Sequence, residues 1–319
     1  MERRALGGPT GPEVSALCLG ALPFGSVVDE PTSFAILDRF VEAGGTFIDT
    51  ADNYVYWVEG CDGSESERLL GRWLAGRGIR DELVLATKVG AMPTDPDDWS
   101  RLEGLSADVI RTQAEQSLTR LGIDRIDLYY AHVDDRTTPL HETVGAFTDL
   151  VKAGTVRTLG CSNHATWRVA QARSIARANG WPGYVAVQQR YTYAQPRPGA
   201  TFGIQRHVDA ELLDYVRNQD DLSLLGYSTL MFGAYGRPDK QVPAQYDHAG
   251  TGVRLRVLRE VAARLGATPN QVVLAWLLGG DPPVIPIIGV SSVQQLDECL
   301  GAVDIELDDE TRTRLDQAG

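Results

Sequence analysis

The feature that most narrows what this 319-residue chain can fold into is a unit that recurs eight times: a short apolar run, then a longer segment with apolar residues at helical spacing. The strand-like runs are 14–19, 46–49, 83–88, 126–131, 158–161, 185–188, 222–227 and 284–288. The helix-like segments are 34–43, 64–74, 106–121, 140–153, 166–178, 209–217, 253–265 with 271–278, and 293–300. Gly44 and Gly45 supply a C-terminal stop after the first of them. Eight such units in one chain are the arithmetic of a closed (β/α)8 TIM barrel, class α/β. The stretch 7–12, rich in Gly and Pro, predicts the turn of an N-terminal β-hairpin. No Pro/Gly/Ser-rich linker divides the chain, so one domain over 1–319 is expected. A doubly wound open sheet would carry a glycine fingerprint after its first strand, and Leu19-Gly20-Ala21-Leu22-Pro23-Phe24-Gly25 does not fit it.

Barrel enzymes gather their chemistry at the C-terminal ends of their strands. Three strands here end in polar groups. Phe47-Ile48-Asp49-Thr50-Ala51-Asp52-Asn53-Tyr54 runs from apolar residues into acids and a phenol; the run 83–88 ends at Lys88, and the run 126–131 is followed by His132. If these strands are parallel neighbours, Asp49, Tyr54, Lys88 and His132 converge on one rim. Taken singly, Asp49 reads as a buried carboxylate, Lys88 as a strand-end charge and Tyr54 as a cover for the barrel mouth. Their coincidence at three strand ends favours a site. The three long connections, 89–105, 189–208 and 231–251, also follow strands and are read as irregular pocket walls.

Charge and cysteine content narrow the partners. The net charge of −13 opposes nucleic acid or an anionic membrane surface. No run of about 18 apolar residues marks a membrane span, and the N-terminus has no apolar signal core. Cys18, Cys61, Cys161 and Cys299 have neither CxxC nor disulfide-framework spacing, which points to reduced thiols and a cytoplasmic protein. His132 near Asp134 and Asp135 lacks a second histidine at ligand spacing, so no metal site is expected. There is no G-x-S-x-G, H-E-x-x-H, P-loop or Tyr-x-x-x-Lys. His141, His164, His207 and His248 read as surface or loop histidines, with His164 set apart by its place beside Ser162 and Asn163.

The stretch 47–54, the run ending Thr87-Lys88-Val89, the strand Asp127-Leu128-Tyr129-Tyr130-Ala131-His132, Gly160-Cys161-Ser162-Asn163-His164 and Ile285-Pro286-Ile287-Ile288-Gly289 occur in this order. Together they resemble the aldo-keto reductases, nearly end to end. The resemblance implies a nicotinamide cofactor and a catalytic tetrad of Asp49, Tyr54, Lys88 and His132. Hydride delivered to a carbonyl carbon leaves an alkoxide that a general acid must protonate. Tyr54 can supply that proton, and Lys88 at about 4 Å would favour its ionisation by roughly 4 kcal/mol at a dielectric near 20, or about 3 pKa units. Asp49 would hold Lys88, and the family role of His132 is to orient the carbonyl.

The resemblance also implies cofactor contacts. Ser162, Asn163 and Gln188 match the positions that bind the carboxamide, Asp49 a ribose contact and Tyr227 the residue beside the nicotinamide ring. Gly20 belongs to the same rim. Ser228, Thr229, Leu230 and Gly233 match the loop along the pyrophosphate, with Thr229 where relatives usually carry proline, a loosening of that loop. Gly289, Ser291, Gln295 and Glu298 match the adenosine end. NADPH is the expected cofactor, with NADH as the alternative, because the stretch 289–298 has no Lys or Arg to hold a phosphate. Arg237, Lys240 or Arg254 could compensate. Ser162 has a second reading as a helix N-cap.

The function expected is reduction of an aldehyde or ketone to an alcohol; the alternative is a cofactor-binding sensor or regulatory subunit with slow turnover. Phe24, Tyr56, Trp57, Met92, Trp99, Tyr191, Tyr193 and Phe202 are the expected lining of a pocket for a ring-bearing or sugar-like carbonyl, and Arg190, Arg197 and Arg206 are possible contacts for an acidic one. Nothing in the pattern fixes the oligomeric state.

Overall fold

The computed structural model describes residues 1–95 and 98–319. β1 (Arg3–Ala5) and β2 (Glu13–Ser15) pair as an antiparallel hairpin. There follow β3 (Cys18–Gly20), α1 (Glu30–Glu42), β4 (Phe47–Asp49), α2 (Glu65–Ala75), β5 (Val84–Val89), β6 (Pro93–Asp95), β7 (Asp98–Leu102), α3 (Ala107–Leu121), β8 (Ile126–Ala131) and α4 (Leu140–Ala153). The second half holds β9 (Val156–Ser162), α5 (Thr166–Ala178), β10 (Tyr184–Arg190), α6 (Ala210–Arg217), β11 (Ser223–Tyr227), α7 (Ala249–Leu265), α8 (Pro269–Leu278), β12 (Val284–Ile288), α9 (Val293–Leu300) and α10 (Asp309–Asp316).

Eight parallel strands close a barrel in the order β3-β4-β5-β8-β9-β10-β11-β12, with Ile287 of β12 in register with Cys18 of β3. The α/β barrel read from the sequence is therefore the fold. Two local readings need correction. The run 14–19 is not one strand: β2 belongs to the hairpin and β3 to the barrel, and the Ser15 hydroxyl donates to the Leu17 carbonyl at 2.7 Å across the bend between them. The connection 89–105 is not irregular, because β6 and β7 form an antiparallel ribbon within it. Residues 96 and 97, between those two strands, lie outside the described residues.

Strand alternation decides which side chains enter the barrel. A single buried cluster contains Phe47 of β4, Val84 and Ala86 of β5, Leu128 and Tyr130 of β8, Ala186 of β10, Leu225 of β11 and Ile285 and Ile287 of β12. The next inward positions are Asp49, Lys88, His132, Gln188 and Tyr227. Gly160 of β9 is inward as well, and a Cβ there would sit 2.5 Å from the Tyr130 ring, so glycine makes room for the phenol.

The hairpin closes the opposite end. Leu6 and Val14 are fully buried in that same interior cluster, and the Arg4 guanidinium donates to the carbonyls of Leu278 at 2.8 Å and Val284 at 3.4 Å. Burying two such side chains is worth roughly 1.5–3 kcal/mol each.

Candidate active site

Period-two alternation carries Asp49, at the end of β4, and Lys88, near the end of β5, to the same rim as Tyr54 in the following loop. Lys88 is fully buried, and its ammonium donates to Asp49 Oδ1 at 2.6 Å, the Thr50 carbonyl at 2.7 Å and the Tyr54 hydroxyl at 2.6 Å. Tyr54 in turn donates to Asp49 Oδ1 at 3.3 Å, and Gln188, across the barrel on β10, donates to Asp49 Oδ2 at 3.1 Å. His132 follows β8, with its ring 6.2 Å from that of Tyr54 and edge-on to it. Its Nδ1 is buried and has no partner among the described residues. The four residues read from three strand ends thus meet.

The electrostatics differ from the expectation in one respect. Burial, then the Asp49 carboxylate, pushes the Tyr54 phenol well above its ordinary range. Lys88, 2.6 Å away, does not pull it down on balance, because Asp49 holds the same ammonium and offsets its field. Burial lowers Lys88 while Asp49 opposes the change, and burial and then Lys88 push His132 well below the usual imidazole range. At neutral pH Tyr54 is a protonated phenol and His132 a neutral imidazole.

Ser162 ends β9, and Asn163 follows it in a left-handed conformation, φ 60°. Asn163 donates to the Ser162 hydroxyl at 3.1 Å and the His132 carbonyl at 3.0 Å, and its Oδ1 accepts from the Tyr227 hydroxyl at 2.7 Å. Ser162 is not a helix cap, since Ala165 is the N-cap of α5. Beyond β11, Thr229 is buried and tied on both sides: its carbonyl accepts from Thr192 at 2.5 Å and its hydroxyl donates to the Ile287 carbonyl at 3.4 Å. These bonds constrain the loop where a proline was missed. Gly20, at the end of β3, lies opposite Asp49 in register.

At the α9 end, Gly289 presents open backbone, with nothing within 4 Å of an added Cβ, and the Ser291 N–H and hydroxyl both donate to Gln295 Oε1. Glu298 accepts from the Thr268 hydroxyl at 2.7 Å and Asn270 at 3.1 Å. Among the suggested cations, Arg254 is excluded: it is buried and donates to the carbonyls of Tyr193 and Asp316. Arg237 pairs with Asp239 and packs beside Gly233, as does Lys240. The polar groups at the ends of β9 and β10, the open backbone at Gly289 and the unpartnered His132 nitrogen fit a nicotinamide dinucleotide laid across this rim.

Sequence patterns did not reveal the strain. Every non-glycine residue with positive φ among the described residues lies here: Val55 follows Tyr54, Asn163 follows β9, and Ser228, Met231 and Phe232 follow β11. Each costs roughly 1–3 kcal/mol, and such strain clusters where ligands are held.

The residues expected to line one pocket do not gather in one place. Tyr56, Trp57 and Trp99 form a partly exposed cluster, with Trp99 6.0 Å from each of the other two rings. Phe24, Tyr191 and Tyr193 are buried in the wall; Tyr191 and Tyr193 pack on Trp276. Phe202 instead lines a cavity of about 1470 Å³ beside the tetrad, with Asn163, His164, Trp167 and His207. None of the four tetrad positions lines it. His164 and His207 both lie in loops as expected, but His164 is buried, its Nδ1 2.7 Å from the Ser162 carbonyl, and the half-buried His207 stacks on Phe202. Of the loop arginines, Arg190 donates to Gln205 and lies over the Phe202 and Tyr227 rings. Among the described residues no group of three or more His, Cys, Asp or Glu could hold a metal ion, and no helix is long and apolar enough to cross a membrane.

Comparison with known proteins gives concordant matches. Residues 16–319 match the model of the aldo/keto reductase family. A norsolorinic acid reductase of Emericella nidulans is 34% identical over 96% of this chain and 79% of its own. An uncharacterised oxidoreductase of Bacillus subtilis is 35% identical over 95% of this chain and 91% of its own. An aryl-alcohol dehydrogenase of Pestalotiopsis microspora is 29% identical over 92% and 76%.

Proposed function

Because this chain belongs to the aldo/keto reductase family and is an NAD(P)H-dependent oxidoreductase of carbonyl groups, we propose that it reduces an aryl aldehyde or ketone with NADPH, Tyr54 acting as general acid. The contact that carries this reading is the 2.6 Å approach of the Lys88 ammonium to the Tyr54 hydroxyl, with Asp49 bonded to both. When bound, the reduced nicotinamide supplies a hydride to the carbonyl carbon. Tyr54, kept protonated by burial, gives its proton to the oxygen as negative charge develops there. Lys88 then stabilises the phenolate left behind, which the buried, Asp49-balanced ammonium can do without drawing the proton off beforehand. His132 is neutral and can hydrogen-bond the carbonyl oxygen without competing as an acid.

Ser162, Asn163 and Gln188 would hold the carboxamide, and Ser291, Gln295 and the α9 N-terminus the 2′-phosphate, with Arg237 or Lys240 as the flanking cation. The names of the relatives, a norsolorinic acid reductase and an aryl-alcohol dehydrogenase, support a ring-bearing substrate, as does the Tyr56, Trp57 and Trp99 cluster at the rim. The cytoplasm is the compartment we favour, on the strength of four free cysteines.

Loss of NADPH absorbance with an aromatic aldehyde tests the reading. Tyr54→Phe should lower turnover by about 10²- to 10⁴-fold, while NADPH still raises the melting temperature. Cofactor binding without turnover on any carbonyl would instead favour a sensor. Greater thermal protection by NADH than by NADPH would overturn the cofactor assignment.

A further inference from the structure

Two residues before Tyr54 lies a buried carboxyl that the proposed chemistry does not use. Asp52 is 2% exposed, and neither of its oxygens meets an N–H or O–H donor among the described residues. A carboxylate stripped of donors in a low-dielectric interior is several kcal/mol worse than the neutral acid.

Among the described residues, the groups around it offer no spare cation. Facing Asp52 are Glu103 from the end of the β6–β7 ribbon, Glu67 of α2, Arg120 of α3, Tyr129 of β8 and, further off, Lys88 of β5. Arg120 is committed to Glu67 by a 2.5 Å bond, and Glu67 also accepts from Thr87. Lys88 is committed to Asp49. Two carboxyls, Asp52 and Glu103, remain against each other. Glu103 is the better carboxylate, since Oε1 accepts from the Gly90 N–H at 2.9 Å and Oε2 from Gln113 at 3.0 Å.

We propose that Asp52 and Glu103 hold one proton between them, with Asp52 the carboxylic acid and Glu103 the acceptor, and that this bond positions the Tyr54 loop. Burial raises both groups, in keeping with a shared proton. The bond would join two segments already stitched to β5 and its sequel. The Asp52 N–H donates to the Lys88 carbonyl at 3.3 Å, Asn53 donates to the Ala91 carbonyl at 2.9 Å, and the Glu103 N–H donates to the Met92 carbonyl at 2.8 Å. Asp52 is thus a positioning residue whose role rests on the assignment of Tyr54 as the acid, whereas the shared proton does not.

Two readouts without turnover test the proton itself. The infrared difference spectrum of the full chain, wild type minus Asp52→Asn at neutral pH, should contain the carbonyl stretch of a protonated carboxyl. An unfolded aspartate titrates near 3.9 and the folded one higher, so the stability difference between wild type and Asp52→Asn, in which the other titrating groups cancel, should shift against wild type as pH rises from about 4 toward the folded value. Absence of the protonated-carboxyl band, or a stability difference that stays constant with pH, would overturn the proposal. Positioning is read separately: Asp52→Leu should lower kcat about tenfold with the NADPH-induced melting shift retained, and Asp52→Asn should restore most of the loss. Equal kcat loss in both variants would refute the positioning role while leaving the shared proton standing on its spectrum.

Discussion

An ammonium group carries three hydrogens, and at Lys88 each has an acceptor: Asp49, the Thr50 carbonyl and Tyr54. Removing this cation leaves the buried Asp49 charge without its partner. Lys88→Met should therefore destabilise the protein by about 3–5 kcal/mol in urea denaturation, and adding Asp49→Asn should recover part of that. Three histidines act at the other end of the pH scale. His132 and His164 are pushed down by burial, and His207 is lowered to about 4. A group whose folded value is depressed keeps its stabilising effect above the unfolded value, near 6.5, and loses it as pH falls toward the folded one. Stability should decline from about pH 6.5 to about pH 4, and His207→Gln should flatten that decline by up to roughly 3 kcal/mol.

At the scale of elements, the tetrad was legible because apolar runs end in polar groups where barrel enzymes gather their chemistry; alternation then puts Phe47 with Asp49, and Leu128 with Tyr130 and His132, on one inward face. Where a segment has no buried face there was nothing to read. Among the described residues of the β6–β7 ribbon only Pro93 is buried, so its sequence carries no period. Ser15 sits among apolar neighbours, and its hydroxyl breaks the run 14–19 without interrupting the alternation. The direction of the Tyr54 shift was also hidden, because it depends on Asp49 bonding the same ammonium, a three-body arrangement that spacing does not encode. At the start of α8, Thr268 accepts from the Gln271 N–H at 3.2 Å and holds Glu298 of α9. Thr268→Ala should cost about 1 kcal/mol of stability and, because the family resemblance matches Glu298 to the adenosine end, weaken cofactor binding in the same titration.

For the whole molecule, the barrel divides labour between its two ends. The hairpin fills one end with Leu6 and Val14, and the strained loops and polar strand ends occupy the other. The fold was legible because eight units leave few closures, and two of the connections read as pocket walls, 89–105 and 189–208, do line the large cavity beside the tetrad; its size was not legible, since it depends on how long loops settle. The net charge of −13 acts on any anionic cofactor before contact. NADPH association measured by stopped flow should therefore quicken as ionic strength rises from about 10 mM to about 150 mM, because salt screens the repulsion.

Primary amines condense with aldehydes and ketones to imines, and a lysine beside a carbonyl-binding cleft would ordinarily be at risk of that adduct. Lys88 is protected by its own bonding: a fully buried ammonium with every hydrogen engaged has no lone pair to offer. The chain has three lysines in all. Scavenging of carbonyl compounds by side-chain amines is thus left to Lys152 and Lys240, which take no part in the Asp49, Lys88 and Tyr54 bonds.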